Sequence, residues 1–401
     1  MSEIKNEWRK VKLGNACRSI FSGGTPSTKV DEYWNGNINW LSSGETRNNY
    51  IINTEKKITE KAVKNSSTKL ALKDNVIIAS AGQGYTRGQV SYCLINTYIN
   101  QSILCLESNK DILNSKFLYF NLKNRYNELR QLSDGHSSRG SLTTQILKDL
   151  EIKLPPLNIQ GKIVKILSDI DGKIELNDKI NDNLEKQAQL IFNNYFLEYD
   201  SYNILKSNKL IDLSKEIICG KTPSTKNKEF YGIDIPFITI PDMHNKIYVD
   251  NTERSLSLMG ANSQNNKYLP IDTICVSCIG TAGLVSLTSK LSQTNQQINS
   301  IIPKEKELTY YIYFLMKNLK NKINFIGSSG STFCNLNKKD FSNIEVPIPN
   351  NEILKQFHTI VLPMFKKIKE NQFENKKLIK LKNYLLPKLM NGEINVENIE
   401  L

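Results

Sequence analysis

Apolar and polar positions follow two regimes along this chain, and each regime occurs twice. Up to residue 154 the apolar runs are short, at 75–81, 90–95 and 102–106. Turn clusters such as Ser22-Gly23-Gly24 and Gly82-Gln83-Gly84 separate them, which predicts strands joined by loops. After Pro155-Pro156 the spacing lengthens. Ile163, Leu167, Ile170, Ile174, Leu184, Ala188, Ile191 and Tyr195 recur at three- and four-residue steps with one gap, the mark of a long helix. The mixed pattern then returns, with runs at 235–240, 273–279 and 298–302. Pro347 and Pro349 mark the second boundary, and Phe357, Ile360, Met364, Ile368, Leu378 and Leu385 form a second helical ladder. Shorter helices are predicted at 115–132 and 308–323.

The recurrence is written in residues as well as in pattern. Thr25-Pro26-Ser27-Thr28 returns as Thr222-Pro223-Ser224-Thr225, Tyr33-Trp34 as Phe230-Tyr231, and Trp40-Leu41 as Phe237-Ile238. Ile38 answers to Ile235, Asn100-Gln101 to Asn295-Gln296, and Leu118-Tyr119-Phe120 to Ile312-Tyr313-Phe314. An offset of about 195 residues is a duplicated domain, since solenoid repeats are far shorter. Two related but non-identical halves can hold two similar objects at a fixed separation.

The helical ladders share one offset: Ile170/Met364, Ile174/Ile368, Asn177/Asn371, Asn181/Asn375 and Leu184/Leu378. Helices with such narrow apolar seams are expected to pack on each other as a coiled coil. About 35 helical residues would span roughly 50 Å. If the helices run antiparallel, the four asparagines meet halfway, where buried amides fix register; alternatively they face solvent. Pro363 should kink the second helix or mark its true start, Gly172 weakens the first, and Pro387 and Gly392 end the second.

Charge narrows the partners. The chain of 401 residues carries 53 basic and 40 acidic side chains, a net charge of +13 and a pI of 9.2. That balance suits nucleic acid first and an acidic membrane surface second, although an AT-rich coding sequence would also produce it. No apolar stretch approaches the roughly 20 residues that span a bilayer, and residues 1–12 lack a signal-peptide apolar region, so a cytoplasmic protein is expected. Seven scattered cysteines argue against a disulfide framework.

Catalytic signatures are missing. His136, His244 and His358 are the only histidines, none in a His-Glu-x-x-His arrangement. Cys275 and Cys278 form a lone pair in an apolar run, which reads as a core strand and not as half of a zinc site. Residues 82–88 are glycine-rich without the Gly-Lys-Ser/Thr of a P-loop. No Asn/Asp-Pro-Pro-Tyr/Phe motif of the amino-methyltransferases occurs, nor a nuclease carboxylate–lysine cluster. These residues point to recognition, not catalysis.

The stretch Leu154-Pro155-Pro156-Leu157-Asn158-Ile159-Gln160, with Lys162-Ile163-Val164, Ile170-Asp171-Gly172-Lys173-Ile174 and Ala188-Gln189, resembles the central conserved region of type I restriction-modification specificity (S) subunits. The tail from Leu385 to Ile394 is similar to the distal conserved region of that family. Gly-Thr-Pro-Ser near the start of each half resembles the opening of its target recognition domains, with Lys221 replacing the glycine in the second copy. The resemblance covers essentially the whole chain. It implies an α/β (α+β) fold with two similar target recognition domains, at 1–154 and 201–349. Two long antiparallel helices, at 155–200 and 350–401, would form the coiled-coil spacer between them. It further implies a non-catalytic subunit that reads a bipartite duplex DNA target and docks two methyltransferase subunits and, where present, restriction subunits. S-adenosylmethionine, ATP and Mg would then bind those partners and not this chain. Two half-sites about one helical turn apart, roughly 34 Å, fit two related domains on a spacer. A related restriction system with a different enzyme partner, or a coiled-coil adaptor between proteins, stays open.

Comparing the halves nominates DNA-contacting residues. Matched positions are expected to build the scaffold, and differing loop positions beside them to read bases. Beside the Trp40/Phe237 strand stand Ser43, Glu45, Thr46, Arg47 and Asn48 in one half and Asp242, His244, Asn245 and Lys246 in the other. Arginine suits guanine, asparagine suits adenine, and a carboxylate can accept from cytosine. The glycine loops offer Gln83, Tyr85, Arg87 and Gln89 against Thr281 alone, or are plain hairpin turns. Replacing Arg87 with alanine is expected to relax specificity at one base. A third pair, His136, Ser138 and Arg139 against Ser328, Ser329 and Thr332, suits phosphate contacts or is an ordinary mobile loop. Gln101 and Gln296 match and read as scaffold or phosphate contacts. Lys69, Lys73, Lys116, Lys123 and Arg125 would neutralise phosphates or simply face solvent.

Overall fold

The computed structural model describes residues 8–82, 84–134, 140–198, 204–328 and 334–400. The chain forms two compact units, one of residues 1–174 with 377–401 and one of residues 175–376. The fold is mixed α/β.

In the first unit the strand Ile103–Ser108 lies antiparallel between Cys17–Ser22 and Val76–Ala79. Val76–Ala79 pairs antiparallel with Val90–Cys93, which pairs parallel with Tyr50–Ile51. A smaller sheet sets Trp34–Leu41 between Lys56–Ile58 and Thr97–Ile99, the latter parallel to it. Buried Leu and aromatic side chains of the helix Ser115–Asn124 pack on the large sheet together with Ile163, Leu167, Leu386 and Met390 from the long helices. Non-directional burial of this kind is the main favourable contribution to the fold.

The second unit repeats the topology. Ile298–Pro303 lies between Ser214–Cys219 and Ile274–Ser277, followed by Val285–Thr288 and the parallel strand Tyr248–Val249. Its small sheet pairs Ile235–Ile238 with Arg254–Leu256 and, in parallel, with Gln293–Thr294. Caps recur too: Thr59 and Ser257, then Thr143 and Asn337, each accept a first-turn N–H of the following helix. The predicted helix 115–132 is two helices, Ser115–Asn124 and Tyr126–Asp134. Its counterpart is likewise Leu308–Asn318 and Lys320–Gly327. Arg125 and Leu319 have left helical geometry at equivalent points of the two halves.

The prolines stand where strands end and helices begin. Pro155-Pro156 closes the strand Glu151–Leu154 and precedes the helix Leu157–Asn193. Pro347 and Pro349 end the strand Glu345–Pro349, and the Asn350 side chain accepts the Glu352 N–H at 2.9 Å to open the helix Asn351–Asn391. This second helix runs through Pro363 and Pro387, so Pro363 does not mark its start nor Pro387 its end; it closes at Asn391, and Gly392 follows with φ of 75°.

Within the second unit, Asn177 Nδ2 donates to Asn375 Oδ1 at 2.9 Å and Asn371 Nδ2 to Asn181 Oδ1 at 2.9 Å. All four side chains are buried. Asn177 also donates to Glu374 and Asn375 to Asp178, each at 2.8 Å. These pairs require the helical segments to run antiparallel, with the amides facing each other. Ile368 is buried and Leu184 and Met364 are half-buried along the same unit's seam. In the first unit Ile170 is buried, and Ile174 and Leu378 are half-buried.

Candidate nucleic-acid interface

The strand order of each domain delivers its variable loops to one end. In the first unit the parallel strands Trp34–Leu41 and Thr97–Ile99 stop together, with the Asn100 N–H donating to the Leu41 carbonyl at 3.1 Å. The Gly24 N–H donates to Ile99 at 3.0 Å, Ser80 to Ser102 at 2.8 Å and Leu142 to Ser80 at 2.9 Å. The second unit repeats the links. Asn295 donates to Ile238 at 3.2 Å, Lys221 to Thr294 at 3.0 Å, Cys278 to Gln297 at 2.8 Å and Leu336 to Cys278 at 3.0 Å. The structure thereby brings together loops that are far apart in sequence.

The loop after Leu41 has fixed ends and a variable middle. Glu45 is buried, and its carboxylate accepts from the Ser42 N–H at 3.0 Å, the Ser42 hydroxyl at 3.1 Å and the Glu55 N–H at 2.8 Å. Asp242 repeats this on the Thr239 N–H at 2.9 Å, the Thr239 hydroxyl at 2.7 Å and the Glu253 N–H at 2.8 Å. These two carboxylates are capping groups, so their expected role at cytosine is corrected: both are buried and bound three times over by the loop itself. Thr46 is buried as well, donating to the Ser43 carbonyl at 2.7 Å. The fully buried Ser91 and Ser286 hydroxyls hold the far side of each loop, on Asn48 at 2.6 Å and on Lys246 at 2.8 Å. Between these anchors Arg47, Asn48, His244 and Asn245 are exposed, and the backbone itself diverges, with φ of −80° at Asn48 and 57° at Asn245. Arg47 pairs with Glu55 at 2.9 Å in the open, and Lys246 donates to the Asn251 carbonyl at 3.0 Å.

In the first glycine loop Tyr85 is 84% exposed, while Tyr126 and Arg130 grip the backbone carbonyls of Tyr85 and Gly84 at 2.9 and 2.6 Å. Arg87 is 8% exposed and its guanidinium pairs with Asp134. It fastens the loop to the helix Tyr126–Asp134, a scaffold role where a base reader was expected. Gln89 is half-buried, its side-chain oxygen enclosed without a hydrogen-bond partner among the described residues. Thr281 is exposed in the second half, and its carbonyl accepts from Ser277 at 2.7 Å. Gln83, His136, Ser138, Arg139, Ser329 and Thr332 lie outside the described residues. Ser328 is half-buried, its N–H donating to the Asn324 carbonyl at 3.0 Å.

The cationic candidates separate by environment. Lys69 and Lys73 are exposed, whereas Arg125 is held by Glu128 at 2.6 Å and by the Glu151 carbonyl at 2.7 Å. Lys116 is half-buried over the Tyr92 ring. Lys123 donates to Asn49 and to the Tyr119 hydroxyl. Burial, assisted by the nearby Lys382 charge, pulls its ammonium down to about 8, with Asp171 opposing. Lys382 pairs with Asp171, which also accepts from the Tyr50 hydroxyl at 2.9 Å. The equivalent Tyr313 and Lys317 of the second unit both bind Glu185. Tyr313-x-x-x-Lys317 thus seats the second domain on a helical segment of its own unit, whereas in the first unit Tyr50 makes that contact and the equivalent Tyr119 and Lys123 bond to each other beside it.

One side-chain contact recurs between the halves. Thr25 donates to the Gln101 side chain and Thr222 to Gln296, both on the exposed surface at the loop end of their domains. The signal was available: all four residues are identical between the halves. Among the described residues no group of three or more His, Cys, Asp or Glu side chains could hold a metal ion. Burial pushes the Cys275 and Cys278 thiols up to about 12. No described helix is long and apolar enough to cross a membrane.

Comparison with known proteins agrees with the duplicated architecture. The model of the type I restriction modification DNA specificity domain matches twice, over residues 5–186 and 206–383. The chain is 30% identical to the type I restriction enzyme HindI specificity subunit of Haemophilus influenzae, over 97% of this chain and all of that protein. It is also 30% identical to the MjaIX specificity subunit of Methanocaldococcus jannaschii, over 100% and 96% of the two chains. The crystal structure of an S subunit from M. genitalium shares the fold, with a TM-score of 0.60 at 18% identity over 97% of this chain and 98% of that one. With matches of this kind spanning both halves, the chain belongs to the family of type I restriction-modification specificity subunits.

Proposed function

We propose that this chain reads a bipartite duplex DNA sequence for a type I restriction-modification complex, one half-site per mixed domain. Residues 1–154 and 201–349 act as the two recognition domains. The helical regions 155–200 and 350–401 set the gap between half-sites and dock two methyltransferase subunits and, where present, restriction subunits. Chemistry belongs to those partners, with S-adenosylmethionine, ATP and Mg bound there, and the complex works in the cytoplasm. The readers of the first half-site are Arg47, Asn48, Tyr85 and Gln89, with Gln83, His136, Ser138 and Arg139 beside them. Those of the second are His244, Asn245, Lys246 and Thr281, with Ser328, Ser329 and Thr332.

The observation that carries this reading is the loop end of each domain: anchors that match between the halves enclose exposed positions that differ in side chain, as Arg47 from His244, or in backbone, as Asn48 from Asn245. A protein reading two different sequences with one fold needs that arrangement, because phosphate contacts position and base contacts specify. Arg47 suits the role, since an exposed ion pair such as Arg47–Glu55 contributes little and is readily exchanged for a base edge.

The test is the methylome of a methylation-free host that expresses this chain with its methyltransferase subunit. A bipartite motif with a fixed unread gap, lost when this chain is omitted, is the expected result. Unmethylated DNA despite a well-formed complex would sink the reading in favour of an adaptor. Co-purification with a different enzyme would reassign the partner.

A further inference from the structure

The loop 25–29 and its copy 222–226 are identical in all five residues, Thr-Pro-Ser-Thr-Lys, and they are alike in space. In both copies the threonine is half-buried, the proline is buried and the Ser-Thr-Lys tripeptide is exposed. The same turn closes each, with the Val30 N–H on the Ser27 carbonyl at 3.4 Å and the Asn227 N–H on Ser224 at 3.3 Å. A donor from the equivalent aromatic ring grips each loop: Trp34 Nε1 on the Ser27 carbonyl at 3.2 Å, and the Tyr231 hydroxyl on Pro223 at 2.9 Å. Just before each loop a glycine presses on the backbone of the neighbouring strand end. A Cβ on Gly23 would lie 1.9 Å from the Ile99 carbonyl oxygen, and one on Gly220 would lie 2.2 Å from that of Asn295.

Packing explains the threonine, the proline and the glycine. It does not explain why three exposed side chains are the same in two halves whose other loops at this end differ. The hydroxyls of Thr28, Ser224 and Thr225 and the ammonium groups of Lys29 and Lys226 bind no described residue; Ser27 Oγ accepts only the Lys29 N–H at 3.4 Å. Beside them the Thr25 and Thr222 hydroxyls occupy the Gln101 and Gln296 side-chain oxygens, which leaves each amide N–H₂ available as a donor. Each glutamine precedes the residue, Ser102 or Gln297, that holds the start of the variable glycine loop.

We infer that these two surfaces, Ser27, Thr28, Lys29 and Gln101 in one half and Ser224, Thr225, Lys226 and Gln296 in the other, are a duplicated clamp for the DNA phosphate backbone. The inference rests on the DNA-reading proposal and deepens it. Two domains that read different bases share only one chemical feature of their targets, the sugar–phosphate chain. Side chains held identical at exposed positions are therefore directed at that chain. A hydroxyl, an ammonium and an amide N–H₂ are the donors a phosphate oxygen takes.

The test uses the full chain with a pool of duplexes of randomised interior, reading both the enriched motif and affinity as a function of KCl. Lys29→Ala/Lys226→Ala is expected to lower affinity for enriched and scrambled duplexes by the same factor. It should also reduce the log–log salt slope by about 0.9 per lysine, while the motif stays the same. Lys29→Arg/Lys226→Arg should restore the slope, and Gln101→Ala/Gln296→Ala should weaken binding without altering the motif. An unchanged slope in the alanine variant, or a motif altered in either half, overturns the clamp. Absence of any enriched motif with the wild-type chain overturns the DNA-reading proposal itself, an outcome separate from the other two.

Discussion

Glu45 and Asp242 each satisfy two backbone N–H groups and a hydroxyl from inside their loops, and burial withholds them from a base. Stranding a buried donor costs about 1–3 kcal/mol, so Glu45→Ala or Asp242→Ala should destabilise its own domain by about 2–4 kcal/mol in urea unfolding. Neither should change the bases read. Arg47 is the converse case, exposed and held only by an open ion pair with Glu55. Arg47→Ala is expected to leave the unfolding midpoint within about 0.5 kcal/mol of wild type. It should relax one position of the first half-site, as read in the methylome, and leave the second half-site intact. A change confined to stability would remove Arg47 from the readers.

Helix pairs with buried amides are specified by their polar contacts at some expense of stability. Asn371→Leu leaves Asn181 enclosed without its partner and should cost about 1–3 kcal/mol; Asn181→Leu/Asn371→Leu removes both polar groups and should recover most of that loss. A double variant no more stable than the single ones would show that the amide pair is not the coupling. A buried lysine near the Asp171–Lys382 pair of the first unit gives a pH signature. Lys123 is charged in the unfolded chain up to pH near 10.5 but in the folded one only to about 8. Between those values the unfolded state binds the extra proton, so stability rises with pH across that window and the neutral-pH penalty is relieved. The stability of wild type relative to Lys123→Met should therefore increase from pH 8 to pH 10; a flat difference would mean that the ammonium is not desolvated. Much of this scale was legible in the sequence, because helical periodicity and proline boundaries are local signals, and the ladder around Asn177 and Asn371 predicted the seam. The breaks at Arg125 and Leu319 were not, since no glycine or proline marks them. Glu45 and Asp242 could have been found: Ser42-x-x-Glu45 is a capping box in plain view, and Thr239-x-x-Asp242 copies its spacing. The burial of Arg87 could not, as its partner Asp134 lies far along the chain and the pairing exists only once the fold has formed.

Each unit is complete in itself, with its own three sheets, its own caps and its own aromatic-lined core. What differs is the seat. Tyr119 and Lys123 bond to each other near the Asp171–Lys382 pair, to which Tyr50 donates, whereas Tyr313 and Lys317 both bind Glu185. Because Tyr119 and Lys123 are the equivalents of Tyr313 and Lys317, a first domain placed on the second seat offers Glu185 the same hydroxyl and ammonium. The strand Arg9–Lys12 likewise stands in for Ile204–Lys209 as the partner that closes the domain at its root. A chain in which a second copy of residues 9–154 replaces 204–349 should therefore fold and keep its helix pair. If specificity resides wholly within each domain, the methylome of this variant carries the first half-site twice, with the second half-site gone and an unread gap still present. Recovery of the original second half-site would instead assign its reading to the helices. A folded variant that enriches no motif would show that base recognition requires groups outside the domain, which the independent cores and matched anchors give no reason to expect.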